Sequence, residues 1–237
     1  QALDFPAGYA IRFLDQHGML GFGRFPWRSV RGGADAYVRA LLDRMPARLF
    51  RGLGVRAVRR SADGVELYTD DGERRQFDRV VLATHADQAL RLLEDPSDAE
   101  RRILGAWRST SNEAVLHTDS RLLPRARRAR ASWNYQLTDG TKPTVTYYLN
   151  KLQRLETDAD WCVTLNRTSG IRPDRIVDRT VFEHPLYTVS SLRAQSELPG
   201  LSGPRNTAYS GAYHGFGFHE DGLASGVRAA AALGVRW

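Results

Sequence analysis

Apolar and polar positions along this chain follow two different periods. Near the start, Tyr9, Ile11, Phe13 and Leu14 keep helical spacing, and His17-Gly18 reads as a helix stop. With Met19, Leu20, Phe22, Phe25 and Trp27 the whole stretch is very apolar, so it packs into a core or lines an apolar cavity. Ala34, Tyr37, Val38, Leu41 and Leu42 fall three to four residues apart and predict a helix from Ala34 to Arg44. Phe50 to Arg60 predicts a strand centred on Val55 and Val58. Gly64 to Thr69 alternates like a second strand, Asp71-Gly72 marks a tight turn, and Gln76 to Asp78 begins the return strand. Arg79-Val-Val-Leu-Ala-Thr84 is nearly continuously apolar, as in a strand buried on both faces. Helices are predicted from His85 to Leu93 and over 94–106. The second starts at Pro96-Ser97, with Asp98 and Glu100 in its first turn.

After Trp107 the period shortens. Glu113–Thr118, Ala131–Tyr135, Thr144–Leu149 and Trp161–Leu165 are rich in strand-forming residues. Polar turns at Asp119, Asp139-Gly140 and Asp158 separate them, which predicts a mixed or antiparallel sheet. Then come a strand at Arg179–Phe182, a loop at His184-Pro185 and a helix from Ser190 to Leu198 that Pro199-Gly200 ends. A short strand, Thr207 to Ser210, leads into Gly211-Ala-Tyr-His-Gly-Phe-Gly-Phe-His-Glu-Asp-Gly-Leu-Ala-Ser-Gly226. Its first half is glycine and aromatic; its second half reads as a helix. Such glycines let a backbone approach a ligand, and a helix start attracts electron-rich groups. The plainer reading is a surface helix with Asp221 in its capped first turn.

Composition narrows the classes. At 237 residues, 42% hydrophobic and 26% charged, the chain fits one large or two smaller globular domains. No apolar run approaches the ~20 residues of a membrane helix. Cys162 is alone, so no intramolecular disulfide forms, which fits a cytoplasmic location. The net charge of +7 comes almost wholly from arginine; Lys142 and Lys151 are the only lysines. The densest cluster, Arg121, Arg125, Arg127, Arg128 and Arg130, reads first as a solvated loop and second as a surface for anionic lipid or nucleic acid. No nucleic-acid-binding motif accompanies it. The six histidines lack paired ligand spacing, so no metal site is expected. No nucleophile elbow or Gly-x-x-x-x-Gly-Lys loop is present. Gly52-Leu-Gly-Val-Arg-Ala57 matches a dinucleotide fingerprint in letters only, because it leads into a strand rather than a helix.

The order of these pieces resembles a family. Gly-Gly and an amphipathic helix precede a strand carrying Val55 and Val58. Then come Gly64-Val-Glu-Leu, Asp71-Gly72, Asp78-Arg-Val-Val-Leu-Ala-Thr84 and, at the end, Gly217-Phe-His-Glu-Asp-Gly-Leu-Ala-Ser-Gly226. This is similar to the middle and last parts of the flavin amine oxidase superfamily, which includes amine oxidases and carotenoid-type desaturases. More narrowly, it is similar to a bacterial group described as predicted NAD/FAD-binding proteins, through Trp133-Asn-Tyr135, Leu149-Asn-Lys-Leu-Gln153 and Phe218-His-Glu-Asp-Gly222. The family's early Gly-x-Gly-x-x-Gly is absent, so a chain without its first βαβ unit is expected, one that holds FAD weakly or not at all alone.

The resemblance implies an α/β fold: a partial, Rossmann-like FAD domain from 28–93 and 207–237, and a substrate domain from 1–27 and 94–206. It also implies site residues. Val55 matches a position whose backbone meets the adenine of FAD. Ala83 and Thr84 match a strand end near the cofactor. Gly211 matches the start of the C-terminal flavin motif, with Ala212 where the family often has an acidic residue. Gly217, His219, Glu220 and Gly222 fall where backbone approaches the flavin pyrimidine ring, and Asp221 caps the helix there. Trp133, Asn134, Tyr147, Tyr213 and His214 are candidates for the substrate pocket, with packing as the competing role. The implied activity is FAD-dependent oxidation by hydride transfer. Neither lysine has a reason to sit beside the flavin, which favours a desaturase or dehydrogenase over an amine oxidase. The aromatic N-terminal segment and basic surface suggest an apolar or lipid-like small-molecule substrate and peripheral membrane contact. The alternative is a non-catalytic basic module for an anionic membrane or nucleic acid.

Overall fold

A computed structural model describes residues 5–21, 28, 30–136 and 144–235. Expectations at Phe22, Phe25, Trp27, Asp139-Gly140 and Lys142 lie outside the described residues. The chain divides into two compact units, one of residues 1–25, 46–109 and 185–237, the other of 26–45 and 110–184.

The first unit contains α1 (Ala7–Gln16), β1 (Val55–Ser61), β2 (Gly64–Thr69), β3 (Arg74–Phe77), β4 (Val80–Leu82), α3 (Ala86–Leu92), α4 (Asp98–Leu104), α6 (Val189–Gln195), β10 (Thr207–Tyr209) and α7 (His219–Ala232). The turn at Asp71-Gly72 folds β1, β2 and β3 into an antiparallel meander. Gly72 has φ 81°, which glycine adopts at little cost. β4 and β10 form a separate parallel pair, Val80 to Thr207 and Leu82 to Tyr209. β4 is not buried on both faces as expected: Leu82 is buried but Val81 is 42% exposed, because the described sheet has only two strands.

The core of this unit joins Val58, Val65 and Leu82 to Ile103, Leu104, Trp107, Ala194 and Leu198. Packing therefore ignores the boundaries expected at 93/94 and 206/207. Residues from the expected substrate domain complete the core of the meander and the parallel pair. A buried ion cluster explains why α4 belongs here. Arg60 of β1 donates to Glu100 Oε1 and Oε2 at 2.5 and 3.0 Å and to Asp95 Oδ1 at 3.0 Å, and the Tyr209 hydroxyl donates to Glu100 at 2.5 Å. Ser97 caps α4 and its N–H donates to Glu100 at 2.7 Å, as the Ser-x-x-Glu spacing predicts. Burial pushes the Glu100 carboxyl up, but the donors from Arg60, Tyr209 and Ser97 outweigh it and hold it at about 2.

The second unit contains α2 (Ala34–Leu42), β5 (Ser109–His117), β6 (Trp133–Gln136), β7 (Thr144–Tyr148), α5 (Leu149–Gln153), β8 (Cys162–Leu165) and β9 (Ile176–Pro185). Its sheet runs β6-β7-β8-β5-β9, with antiparallel pairs from β6 through β5. One face carries a buried polar row, Asn134, Thr146 and Thr164 in register, which ends against the apolar Val115. Here His117 Nδ1 accepts the Asp119 N–H at 3.1 Å, so its proton sits on Nε2, 2.8 Å from Thr164 Oγ1. Thr164 and Thr146 share a hydrogen bond of 2.9 Å. Burial lowers the His117 pKa, which keeps the ring neutral. The loop expected at His184-Pro185 is the end of β9, a ten-residue strand longer than the sequence suggested.

Candidate functional site

The parallel register of β4 and β10 brings their carboxyl ends together, and the Ser210 N–H extends the ladder to Leu82 O at 3.0 Å. Ala83-Thr84 and Gly211 leave that edge side by side. A Cβ built on Gly211 would lie 3.6 Å from Thr84 O. Strand ends of parallel sheets are where ligands bind in α/β folds. The chain then makes a tight turn, Gly211 to Phe218, before α7 starts at His219.

Side chains hold this turn shut. Asp221 Oδ2 accepts the N–H of Phe216 at 3.0 Å and of Phe218 at 2.9 Å. This is the helix-capping role expected of Asp221. A Cβ at Gly215 would run into that carboxylate, and Gly217 has φ 95°, so both positions need glycine. Ser225 of α7 accepts from Gly211 N–H at 2.9 Å and donates to Gly222 O at 2.7 Å. Gly215 O accepts from Tyr9 Oη at 3.1 Å, Tyr187 Oη at 3.1 Å and Gln195 Nε2 at 2.8 Å.

Rings surround the turn. Tyr9 stacks on Tyr187 at 4.8 Å and meets Phe216 at 4.9 Å; Phe13 stacks on Phe218 at 5.7 Å. Trp107 meets Tyr187 at 5.6 Å and Tyr213 at 5.5 Å, and Tyr213 lies 4.8 Å from His214. The N-terminal aromatic segment thus packs on the glycine turn. Within this group, Tyr213 Oη, His214 Nε2 and Trp107 Nε1 are buried without a hydrogen-bond partner, and so is His85 Nδ1, beside Thr84. Burial raises the Tyr213 pKa, and burial followed by the charge of Arg228 lowers His214 to about 4. Both are neutral hydrogen-bonding groups at neutral pH.

These observations test the fit to a flavin. Unpartnered buried polar atoms cost free energy and call for a partner. Three such groups lie beside a turn whose glycines allow close backbone approach. Glu220 and Asp221 make the start of α7 acidic, which disfavours a phosphate and suits an uncharged ring. The residues present fit the ring end of FAD.

The structure places the expected residues as follows. Ala83, Thr84, Gly211, Gly217, His219, Glu220, Asp221, Gly222, Tyr213 and His214 all lie at the strand ends, the turn or the first turn of α7. Val55 opens β1 in the other sheet of this unit, opposite Thr69. Trp133 and Tyr147 face each other across β6 and β7 in the second unit. Asn134 points to the opposite face from Trp133. It is 8% exposed, and its amide is spent on Ala131 N and O and on Thr146 O, so packing rather than pocket lining is its role. Sequence reasoning missed Tyr187, Gln195, Trp107 and Ser225; only the helical spacing of Tyr9 and Phe13 signalled the aromatic wall.

The arginine cluster is partly neutralised. Arg121 pairs with Asp119 at 2.6 Å and Arg130 with Asp160 at 3.0 Å. A surface depression of about 480 Å³ opens elsewhere in the first unit, lined by Arg60, Ser61, Ala62, Gly203, Arg205 and Asn206. Its two guanidinium groups pair with Asp95 and Glu100, so it offers no free cation. Among the described residues, no helix is long and apolar enough to cross a membrane.

Comparison with known proteins bears on the family and the fold. The family model described as flavin-containing amine oxidoreductase matches residues 8–234. No curated protein matches the chain. Similar solved structures include a CLA-producing fatty acid isomerase from P. acnes, at TM-score 0.63 and 17% identity over 92% of this chain and 56% of that one. Putrescine oxidase bound to putrescine gives TM-score 0.60 and 12% identity over 86% and 53%. Reduced UDP-galactopyranose mutase gives TM-score 0.58 and 14% identity over 89% and 53%. The chain thus spans slightly more than half the length of these proteins. The family match favours a flavoprotein over a purely basic binding module.

Proposed function

The chain belongs to the flavin-containing amine oxidoreductase family, whose cofactor is FAD, and on that premise we propose that the protein oxidises an apolar, lipid-like substrate. The carrying observation is the glycine turn between the β4–β10 strand ends and α7, with Tyr213 Oη and His214 Nε2 buried and unpartnered beside it. When bound, FAD accepts the hydride. The chain's own residues bind and orient. Gly211, Gly217 and Gly222 bring backbone close, and Asp221 fixes the turn. Tyr213 and His214 offer neutral hydrogen bonds rather than charge.

Three observations support an apolar substrate. The rings of Tyr9, Phe13, Tyr187, Phe216 and Phe218 pack together as an apolar wall around the turn. Lys151 donates to Arg130 O at 2.9 Å in the second unit, so it has a structural partner. A fatty acid isomerase is among the similar folds. Peripheral membrane contact belongs to the same proposal: a lipid-like substrate leaves a bilayer, and Arg125, Arg127 and Arg128 are exposed.

The test is the absorbance of the purified full-length protein, followed by anaerobic addition of fatty acids or of amines. A flavin spectrum bleached by fatty acids is expected. Protein that neither retains nor takes up FAD sinks the flavoenzyme reading. Bleaching by soluble amines alone sinks the lipid-like substrate.

A further inference from the structure

We propose that β9 is a dimerisation edge, pairing antiparallel about a two-fold axis with β9 of a second copy and joining two five-stranded sheets into one. β9 is the terminal strand of its sheet and, at ten residues, longer than the others. Every residue from Val177 to His184 is exposed. Val177, Val181 and Phe182 are 55%, 58% and 51% exposed, on both faces of the strand. An exposed edge strand is a template for another strand, and charged side chains, Pro, a bulge or a covering element blunt it; the charges on β9 leave it open to a partner that matches them. Here proline comes only at the final position, Pro185, and the strand has no lysine.

The charges on β9 select the partner. A two-fold axis requires that if one residue faces a second, the second faces the first. Side chains meet on a common face only when the axis passes through a residue. With the axis at Val181, Arg179 of each copy faces Glu183 of the other. Asp178 then faces His184, Thr180 faces Phe182, and the two Val181 side chains meet. With the axis at Thr180, each charge faces an apolar residue instead: Arg179 against Val181, Asp178 against Phe182, Glu183 against Val177. At Arg179, like charges collide. At Phe182, Glu183 faces Val181 and Arg179 faces Pro185. Of these, only the Val181 register pairs opposite charges, Arg179 with Glu183 in both copies, and sets Asp178 against the polar His184; cross-strand pairs of opposite charge stabilise a sheet. Among the described residues, neither the Arg179 guanidinium nor the Glu183 carboxylate has an ion-pair partner within its own chain.

The mass of the full chain in solution, by light scattering or sedimentation over a concentration series, tests this. A dimer is expected. Arg179→Glu or Glu183→Arg alone should weaken it about ten-fold or more, and the combined swap should restore it. Val181→Cys gives an independent readout. Directly opposed residues of an antiparallel pair lie within bridging distance, so mild oxidation should yield a covalent dimer. Val177→Cys, opposite Pro185, should not, and the native Cys162 is buried. A chain that stays monomeric at all concentrations overturns the proposal, including one whose β9 amides are protected by another segment or partner. So does a dimer indifferent to the single swaps, or one that Val177→Cys cross-links as well as Val181→Cys.

Discussion

The two units bury polar side chains in opposite ways. In the five-stranded sheet, His117, Thr164, Thr146 and Asn134 are buried and each has a partner. At the glycine turn, Tyr213 Oη, His214 Nε2 and Trp107 Nε1 are buried and have none. The group types are comparable; the free energies are not. A satisfied buried hydrogen bond contributes roughly 1 kcal/mol, whereas an orphaned buried group costs about 1–3 kcal/mol. The first arrangement holds a fold together. The second stays unfavourable until a ligand supplies the partner.

Mutations can break or sharpen that contrast. The largest effect is expected at the frame behind the glycine turn. Glu100→Ala leaves the Arg60 guanidinium buried beside one remaining carboxylate, and should cost about 3–5 kcal/mol in urea unfolding. Thr164→Val opens the closed row by stranding the His117 Nε2–H, for a loss of about 1–3 kcal/mol. A loss within experimental error there would mean the row is not the structural network described.

Acid should act on both regions in one direction. Burial lowers His117, and burial with Arg228 lowers His214 to about 4. The folded state therefore takes up protons less readily than the unfolded chain, whose histidines titrate near ~6.5. Stability should fall as pH drops from ~6.5 towards about 4, and His214→Gln should flatten that slope. A slope unchanged by the substitution would show that His214 is not buried neutral. A smaller change in stability is expected for Tyr213→Phe, which removes an orphaned hydroxyl. Without flavin its stability should stay within about 0.5 kcal/mol of the parent or rise. Its affinity for FAD, read by fluorescence titration of the full-length protein, should drop. Equal losses in both measurements would mean Tyr213 only packs.

Much of the fold was legible from periodicity and punctuation. Ser97 three residues before Glu100, Asp71-Gly72 between alternating strands, and helical spacing from Ala34 to Leu42 are local signals with local causes. Long-range choices were not legible. Nothing near Arg60 in the sequence announces Glu100 or Tyr209, yet these contacts draw α4 and β10 into one core and move the expected domain boundary. At the site, the glycines and Asp221 could be read because their backbone roles are local. Tyr187, Gln195 and Trp107 could not, since each reaches the turn from a distant segment. Asn134 and Trp133 looked like one pocket wall because they are adjacent; strand alternation sends them to opposite faces.

The Gly215 carbonyl has a consequence for how damage to this turn would show itself. An oxygen with two lone pairs here receives three donors, Tyr9, Tyr187 and Gln195, from three separate stretches of chain. Either tyrosine hydroxyl can be lost while the acceptor remains saturated, so Tyr9→Phe and Tyr187→Phe should each be nearly silent. Losing both should cost more than the sum of the two. The turn is buffered against single changes, and its sequence is free to drift at any one of these positions only while the other two hold.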